Sequence, residues 1–351
     1  MLLLAGTADP LKAARALARF LDVADWHPKA ARPRPVVKRR LASGLEVSVV
    51  VPTYRRPAEL RRCLAGLARQ SLSPAETIVV RRSGDEGTRL ALEESPRPPV
   101  RRVVVSKPGV LAAMEAGAAV AGSDIIAFID DDAVPRPEWL QQLVRHFDDP
   151  EIGGVGGRDL IAGEHAPTGA ALEVGMITRW GKLIGNHHLA SGAPREVMVL
   201  KAVGVAFRRH ALALPRGLKG EGAQVHFEVG MSLSARRRGW RLVYDPTALV
   251  DHEVASRFDA DPRARLRPIA VRDAAYNLVS CLLAEVPDLF WRRAMYGLIV
   301  GDRDIPGMGR AAVALLRGEG AVLRHLAPSV AGQVAALRYA RRNRSSDAYA
   351  L

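Results

Sequence analysis

From Leu45 onward, short apolar runs alternate with amphipathic stretches, and this alternation limits the possible folds more than any other feature. Residues 47–51 form a β-branched run of the kind buried on both faces of a parallel sheet. Residues 57–70 follow with helical spacing through Leu60, Leu64 and Leu67. The pattern returns in strand-like runs at 77–80 and 103–105, a helical stretch at 110–120 and a strand-like run at 125–129. Repeated βα units predict an α/β fold, a Rossmann-like, mostly parallel sheet flanked by helices, with ligands bound off the carboxyl ends of the strands. Residues 153–222 are rich in glycine and poor in periodicity apart from 203–207, and read as loops and short strands around a cleft. Helical spacing returns at 229–238, followed by a strand-like 241–244 and Arg-bearing helical segments near 273–283, 289–298, 310–316 and 330–341.

The flanks differ in texture. Leu11, Ala14, Leu17, Ala18 and Leu21 recur at a helical period, with Lys12, Arg15 and Arg19 on other faces, which predicts a basic amphipathic helix. Residues 28–40 mix Pro33 and Pro35 with six basic side chains, a solvated linker. We therefore expect an N-terminal helix and linker over 1–44, an α/β domain over 45–255 and a helical appendage over 256–351.

The formal net charge of +14 calls for an acidic partner: nucleic acid, anionic lipid or a phosphorylated ligand. Cys63 and Cys281, the only cysteines, are too far apart for C-x-x-C spacing, so neither a disulfide framework nor a zinc site is indicated, and a reduced cytosolic setting is the default. The apolar start lacks a basic n-region and is cut by Asp9 and Pro10, unlike a signal peptide. No run approaches the roughly 20 apolar residues of a spanning helix, so a membrane would be met from the side.

The sharpest chemistry follows the fourth predicted strand, where Phe128-Ile129 runs into Asp130-Asp131-Asp132-Ala133-Val134-Pro135. Three adjacent carboxylates repel one another strongly unless a cation or hydrogen-bond donors compensate. Hard oxygen ligands suit Mg²⁺ or Mn²⁺, and such an ion neutralises charge on a departing diphosphate. The alternative is a solvated turn capping a helix begun near Pro137, because Asp is common before helices.

Further stretches accompany the triplet in a telling order. They are Val49-Val50-Val51-Pro52-Thr53-Tyr54-Arg55-Arg56-Pro57, residues 60–74 ending in Gln70-Ser71-Leu72-Ser73-Pro74, residues 121–128 before the triplet, Pro137-Glu138-Trp139-Leu140 after it, and residues 237–246. Together they resemble the inverting family-two glycosyltransferases of the GT-A fold over residues 46–253. That resemblance implies a nucleotide-binding half at 45–135 and an acceptor half at 136–255. It also implies that Pro52, Thr53, Tyr54 and Arg55 line the nucleoside pocket, with the Tyr54 ring offered to the base; a plain packing role for Tyr54 is the alternative. Asp130 and Asp131 would meet the ribose or the metal. Asp130 and Asp132 would ligate the metal, and His252, in Asp251-His252-Glu253, would complete its coordination or bind phosphate; a purely structural histidine is the alternative.

An inverting transfer also needs a carboxylate that takes the acceptor hydroxyl's proton, and the resemblance sets Glu228 at that position. A second acidic residue often follows two places on, where this chain has Gly230; Glu228 as an ordinary first-turn residue favoured by the helix dipole stays open. Lys201 and Gly204, at the acceptor-side strand, and Trp180, with His187 and His188 in the preceding loop, are candidates to shape the acceptor site; for the last three, a solvent-facing place in the loop is the alternative. The largest departure is Val80-Arg81-Arg82-Ser83-Gly84-Asp85, where family members commonly place an aspartate that accepts from a uracil N–H. Arginine has no acceptor, so either Asp85 reaches back or the base is not uracil. Arginine pairs bidentately with guanine, which admits a GDP-sugar.

The function implied is metal-dependent inverting transfer of a sugar from a nucleoside-diphosphate sugar to a hydroxyl acceptor, a glycan or lipid-linked saccharide of the cell envelope, with Mn²⁺ or Mg²⁺ as cofactor. The basic terminal helices are expected to hold the chain on an anionic membrane surface at the cytoplasmic face, unless they pack on the domain with solvated arginines; a homodimer is left open. Two other classes compete. A nucleic-acid-binding protein is suggested by Arg81-Arg82, Arg236 to Arg238 and Arg341, Arg342 and Arg344, but aromatics form only 5% of the chain, leaving few stacking platforms. An inactive, glycosyltransferase-like scaffold is suggested by Arg82 and Gly230.

Overall fold

A computed structural model describes residues 45–94, 99–164, 172–258, 267–302 and 304–343. The amphipathic helix and linker expected over 1–44 lie outside the described residues. The first half runs β1 (Val47–Thr53), α1 (Pro57–Leu67), β2 (Glu76–Arg82), α2 (Glu86–Glu94), β3 (Arg101–Val105), α3 (Val110–Val120) and β4 (Ile125–Ile129). Its strands lie in the order β3-β2-β1-β4, all parallel. The second half adds β5 (Ala133–Pro135), α4 (Trp139–Val144), β6 (Ile152–Ile161), the small pair β7 (Met176–Ile177) and β8 (Leu183–Ile184), then β9 (Arg195–Glu196), β10 (Gly204–Arg208), α5 (Phe227–Arg237) and β11 (Arg241–His252). The sheet continues from β4 through β10, β6 and β11 to β5. β10 is antiparallel to both neighbours, so the sheet is mixed, with β6 and β11 parallel again.

Both sheet faces are covered. Leu60, Cys63, Leu64 and Leu67 of α1 pack with Trp139, Leu140 and Leu143 of α4 on one face. On the other, α3 and α5 contribute Leu111, Met114, Phe227 and Met231. α3 sits close because Gly117 has no side chain: a Cβ there would lie 2.4 Å from Val50 Cγ1. Cys63 and Cys281 are both free and buried.

The reading of 153–222 as loops and short strands fails at its start, where β6 is a ten-residue strand inside the sheet. Its glycines answer to crowding. A Cβ on Gly153 would lie 2.5 Å from Trp240, on Gly154 2.7 Å from Phe207, and on Gly157 2.2 Å from the Ala248 carbonyl. The segment thus lacks the apolar signature of a buried strand because its neighbours fill the space side chains would need.

After the sheet come α6 (Pro268–Glu285), α7 (Phe290–Met295) with a π-helical continuation at Tyr296–Val300, α8 (Met308–Leu316) and α9 (Leu323–Asn343). α6 packs on α5 through Val229, Leu233, Leu278 and Leu282, in a cluster that also takes in Leu289, Phe290 and Ala336. Gly230 lies at this contact, where a Cβ would meet Cys281 Sγ at 2.9 Å and Pro215 Cβ at 3.0 Å.

β11 runs well past the expected residue 244, with a register shift between Tyr244 and Leu249 that accommodates Pro246. Beside the shift, fully buried Asp245 accepts from Arg145 Nη2 at 2.6 Å, pairs with His146 Nε2 at 2.7 Å and accepts from the Thr247 N–H at 2.9 Å. Burial works to raise its pKa, but His146 and Thr247 outweigh it and bring the carboxyl down to about 2. Asp245→Ala should therefore lower stability by about 3 kcal/mol, the scale of a broken buried pair, seen as a fall in thermal midpoint. Because the folded pKa lies below the ordinary value of 3.8, the charge-linked share of roughly 2 kcal/mol is complete above about pH 4 and is lost as pH falls through about 2. The variant should lack that acid-dependent component.

Candidate active site

A cleft of about 510 Å³ opens off the carboxyl ends of β1 and β4, and is walled on its other side by the segments that enter β10 and α5. Past β1, Arg55 adopts a left-handed backbone conformation with φ of 56°. Its N–H donates to Asp85 Oδ2 at 2.6 Å. Asp85 also accepts from the Thr88 hydroxyl at 2.7 Å and, through Oδ1, from the Thr88 N–H at 3.2 Å, capping α2. The buried Asp85 carboxylate thus braces the turn from beneath and is not among the cleft-lining residues, contrary to the expectation that it reaches back to a base. Above it, the Tyr54 ring carries the guanidinium groups of Arg55 and Arg82 at 5.2 and 5.0 Å from its centre. Tyr54 and Arg82 line the cleft, whereas Arg55 does not.

The triplet leaves β4 in a tight turn, with the Ala133 N–H donating to the Asp130 carbonyl at 3.1 Å. β5 then pairs antiparallel with the end of β11, and the register sets His252 opposite Ala133. One carboxylate oxygen each from Asp130 and Asp132 and one ring nitrogen of His252 lie within 4.8 Å of one another. Two hard oxygens and one imidazole nitrogen fit Mn²⁺ or Mg²⁺, with Mn²⁺ the more tolerant of nitrogen. The solvated-turn alternative fails, since Asp131 and Asp132 are each only 3% exposed and the following helix begins on Glu138.

Several groups compensate this buried charge. Arg56 Nη1 donates to Asp131 Oδ1 at 2.7 Å and approaches Asp132 Oδ2 at 3.3 Å. Its Nε and Nη2 both donate to the Ser256 carbonyl, at 3.0 and 2.9 Å. Asp132 Oδ2 accepts from the Ala255 N–H at 3.0 Å, and His252 Nε2 faces Asp132 Oδ1 at 3.5 Å. On its far side, His252 Nδ1 lies 3.2 Å from Asp159 Oδ2, which also binds Lys201 Nζ. Burial pushes the Asp131 carboxyl up to about 6 against the opposing pull of Arg56. Burial would also raise Asp132, but His252, the Ala255 N–H and Arg56 together hold it well below the carboxylate range. His252 is raised to about 9, the effect of Asp132 and Asp159 exceeding that of burial.

Across the cleft stand Lys201, Ala202 and Val203, together with His226 and Glu228 at the start of α5. His226 holds a left-handed φ of 72°, an uncommon conformation for a residue with a side chain. Four expected acceptor residues, Gly204, Trp180, His187 and His188, are not at this cleft. Gly204 is buried in β10, where a Cβ would meet Trp139 Nε1 at 3.0 Å, so it serves packing and not the approach of a sugar. Trp180 stacks under Arg179 in a turn whose Gly181 carbonyl accepts from buried Arg293 Nη1 at 3.0 Å, beside the C-terminal helices. His187 is buried against the Val199 carbonyl, and His188 pairs with Glu164.

The sheet order and the acidic turn after β4 define a GT-A fold. GalNAc-T7, solved with UDP, GalNAc and Mn²⁺, aligns with a TM-score of 0.57 at 14% identity over 80% of this chain and 55% of that one. TarS of S. aureus aligns with a TM-score of 0.50 at 14% identity over 85% of this chain and 55% of that one. Residues 44–270, well over half the chain, match the family described as "Glycosyltransferase like family 2". The protein belongs to glycosyltransferase family 2. It is 29% identical over 261 residues to the pre-mycofactocin glycosyltransferase of Mycobacterium tuberculosis, an alignment covering 70% of this chain and 48% of that protein. The chain therefore spans about half the length of this curated relative.

Arg56 and Asp159 are the site residues that sequence reasoning missed. Arg56→Ala should lower stability by about 3 kcal/mol, because it leaves Asp131 buried beside Asp132 with its nearest cation gone. Arg56→Lys should recover only part of this, since one ammonium cannot span Ser256 and Asp131 as the guanidinium fork does. Thermal denaturation of the three proteins checks both expectations.

Proposed function

We propose that this protein transfers a sugar from a nucleoside-diphosphate sugar to a hydroxyl of a glycan or lipid-linked acceptor of the cell envelope, with inversion at the anomeric carbon and with Mn²⁺ or Mg²⁺ as cofactor. One observation carries the reading: a single cleft joins the Asp130, Asp132 and His252 donor set, the Tyr54 ring and the Glu228 carboxylate. Pro52, Thr53 and Tyr54 receive the nucleoside, with Arg82 beside the Tyr54 ring. Arg55 and Asp85 act on donor binding indirectly, by fixing the turn that presents Tyr54. Asp131 acts through Arg56, which it holds against the metal-binding carboxylates. Asp130, Asp132 and His252 hold the divalent cation, whose charge, when it is bound, offsets that of the diphosphate.

Glu228 takes the proton from the acceptor hydroxyl as its oxygen bonds to the anomeric carbon. The bond from that carbon to the diphosphate oxygen breaks, and its electron pair leaves on the nucleoside diphosphate. Attack on the face opposite the leaving group inverts the centre. Lys201, anchored by Asp159, offers a cation to the acceptor or a phosphate at the same cleft. Among the described residues no helix is long and apolar enough to cross a membrane, and we place the enzyme on the cytoplasmic face. The acidic floor of the cleft opposes a nucleic-acid strand.

The test is release of nucleoside diphosphate from a panel of UDP-, GDP- and dTDP-sugars with Mn²⁺ or Mg²⁺. Release should depend on the metal, fall on the order of 100-fold or more in Asp132→Asn, and fall about 100-fold or more in Glu228→Gln with nucleotide affinity retained. Because the Asp85 carboxylate is engaged beneath the turn, a preference for GDP over UDP is the outcome consistent with Arg82 at the base. Folded protein that releases nucleotide from no donor with either metal would leave the scaffold reading in its place. A separate titration addresses Asp159, which orients His252: Asp159→Asn should weaken Mn²⁺ binding by roughly 10- to 100-fold.

A further inference from the structure

Among the described residues, the helices that follow α6 leave an apolar face uncovered. α8 presents Met308, Leu315 and Leu316, which are 58%, 61% and 59% exposed and recur at the i, i+7, i+8 spacing of one helical stripe. Met308 also meets Leu323, Leu326, Val330 and Val334 of α9 along a groove of about 640 Å³. The preceding π-helical turn abuts α8, since a Cβ on Gly309 would lie 2.8 Å from the Ile299 carbonyl, and Ile299 is itself exposed. Leu and Met side chains exposed in a continuous patch mark an interaction surface.

Charge selects the partner. From Ile305 to Asn343 the chain carries Arg310, Arg317, Arg324, Arg338, Arg341 and Arg342 against a single acid, Glu319, and all six arginines are exposed. A second copy of this chain would bring the same positive rim against this one and be repelled. An apolar stripe bordered by arginines matches the boundary of an anionic bilayer, where the stripe enters the headgroup region and the guanidinium groups reach the phosphates.

We propose that the α8–α9 face docks flat on an anionic lipid bilayer. Its purpose, to bring the cleft near a lipid-linked acceptor, rests on the transferase reading; the docking itself rests on the face alone. Flotation of the full chain with vesicles of equimolar phosphatidylglycerol and phosphatidylcholine, and with phosphatidylcholine alone, tests it. Binding should require the anionic lipid and weaken with salt. Leu315→Asp/Leu316→Asp should reduce it roughly 10-fold or more, and Arg338→Glu/Arg341→Glu about as much. These side chains are exposed, so circular dichroism should show both variants folded as the parent.

No flotation, flotation undiminished in the leucine variant, or a dimer in light scattering that this variant dissolves would each overturn the proposal, the last by assigning the face to a second copy. Donor turnover in detergent-free solution separates the two readings. A failed docking proposal leaves turnover intact in parent and variants, and a failed transferase reading leaves lipid binding intact without turnover.

Discussion

Three consecutive carboxylates at the end of a buried strand can coexist only if something holds them against their mutual repulsion, and the cleft is organised around that requirement. Arg56 supplies a fixed positive charge, donating to Asp131 and reaching Asp132 while its other nitrogens grip the Ser256 carbonyl. The same guanidinium therefore links the turn after β1 to the turn after β4 and to the segment after β11, which the Ala255 N–H on Asp132 already joins to each other. His252 supplies the second partner, and it arrives by strand register: pairing of β5 with β11 sets it opposite Ala133, one residue beyond the triplet. Its other nitrogen is engaged by Asp159, whose strand runs parallel alongside β11. Second contacts of this kind orient a metal-binding imidazole.

The contact of Asp159 with His252 depends on β6 lying between β10 and β11. The strand is crowded by Phe207 and Leu242 around Gly154, by Leu200 around Gly156 and by the Ala248 backbone at Gly157. Side chains on those glycines would force β6 away from its neighbours, and Asp159, farther along the same strand, would leave His252. Glycines that look like loop residues in the sequence thus set the position of a carboxylate in the cleft.

The sequence displays some of this directly. β4 and α3 have the bounds their spacing predicts, because a strand buried on both faces reads as a continuous apolar run and a helix against a sheet reads as a periodic one. Asp130, Asp132 and His252, expected together from family resemblance, do lie together. Arg56 and Asp159 left no comparable sign: their contacts to Asp131 and His252 span 75 and 93 residues, and no local pattern encodes a pairing that only the sheet order creates. Asp85 misled for the opposite reason. Its place after β2 suits a ligand contact, yet a side chain just ahead of α2 competes equally well for a helix N–H, and that is where its oxygens go. Gly204 and Trp180 misled because nearness in sequence to the acceptor-side strand does not fix which way a side chain faces.

Two departures from the family pattern, Arg82 and Gly230, looked alike in sequence and differ in physical cause. At Gly230 the constraint comes from outside the cleft: α6 lies so close that a Cβ would press on Cys281 and Pro215. An acidic side chain there would be excluded by helix packing whatever chemistry the cleft performs, so its loss says nothing against Glu228, which lines the cleft from two residues nearer the start of the same helix. Arg82 is different, since it lines the cleft itself and lies over the ring proposed to face the base. Its guanidinium offers donors where an aspartate would offer acceptors, and the Asp85 carboxylate is engaged in bracing the Tyr54 turn. On the proposed reading, the change at Gly230 is a consequence of how the C-terminal helices dock, whereas the change at Arg82 alters which base edge the cleft can recognise.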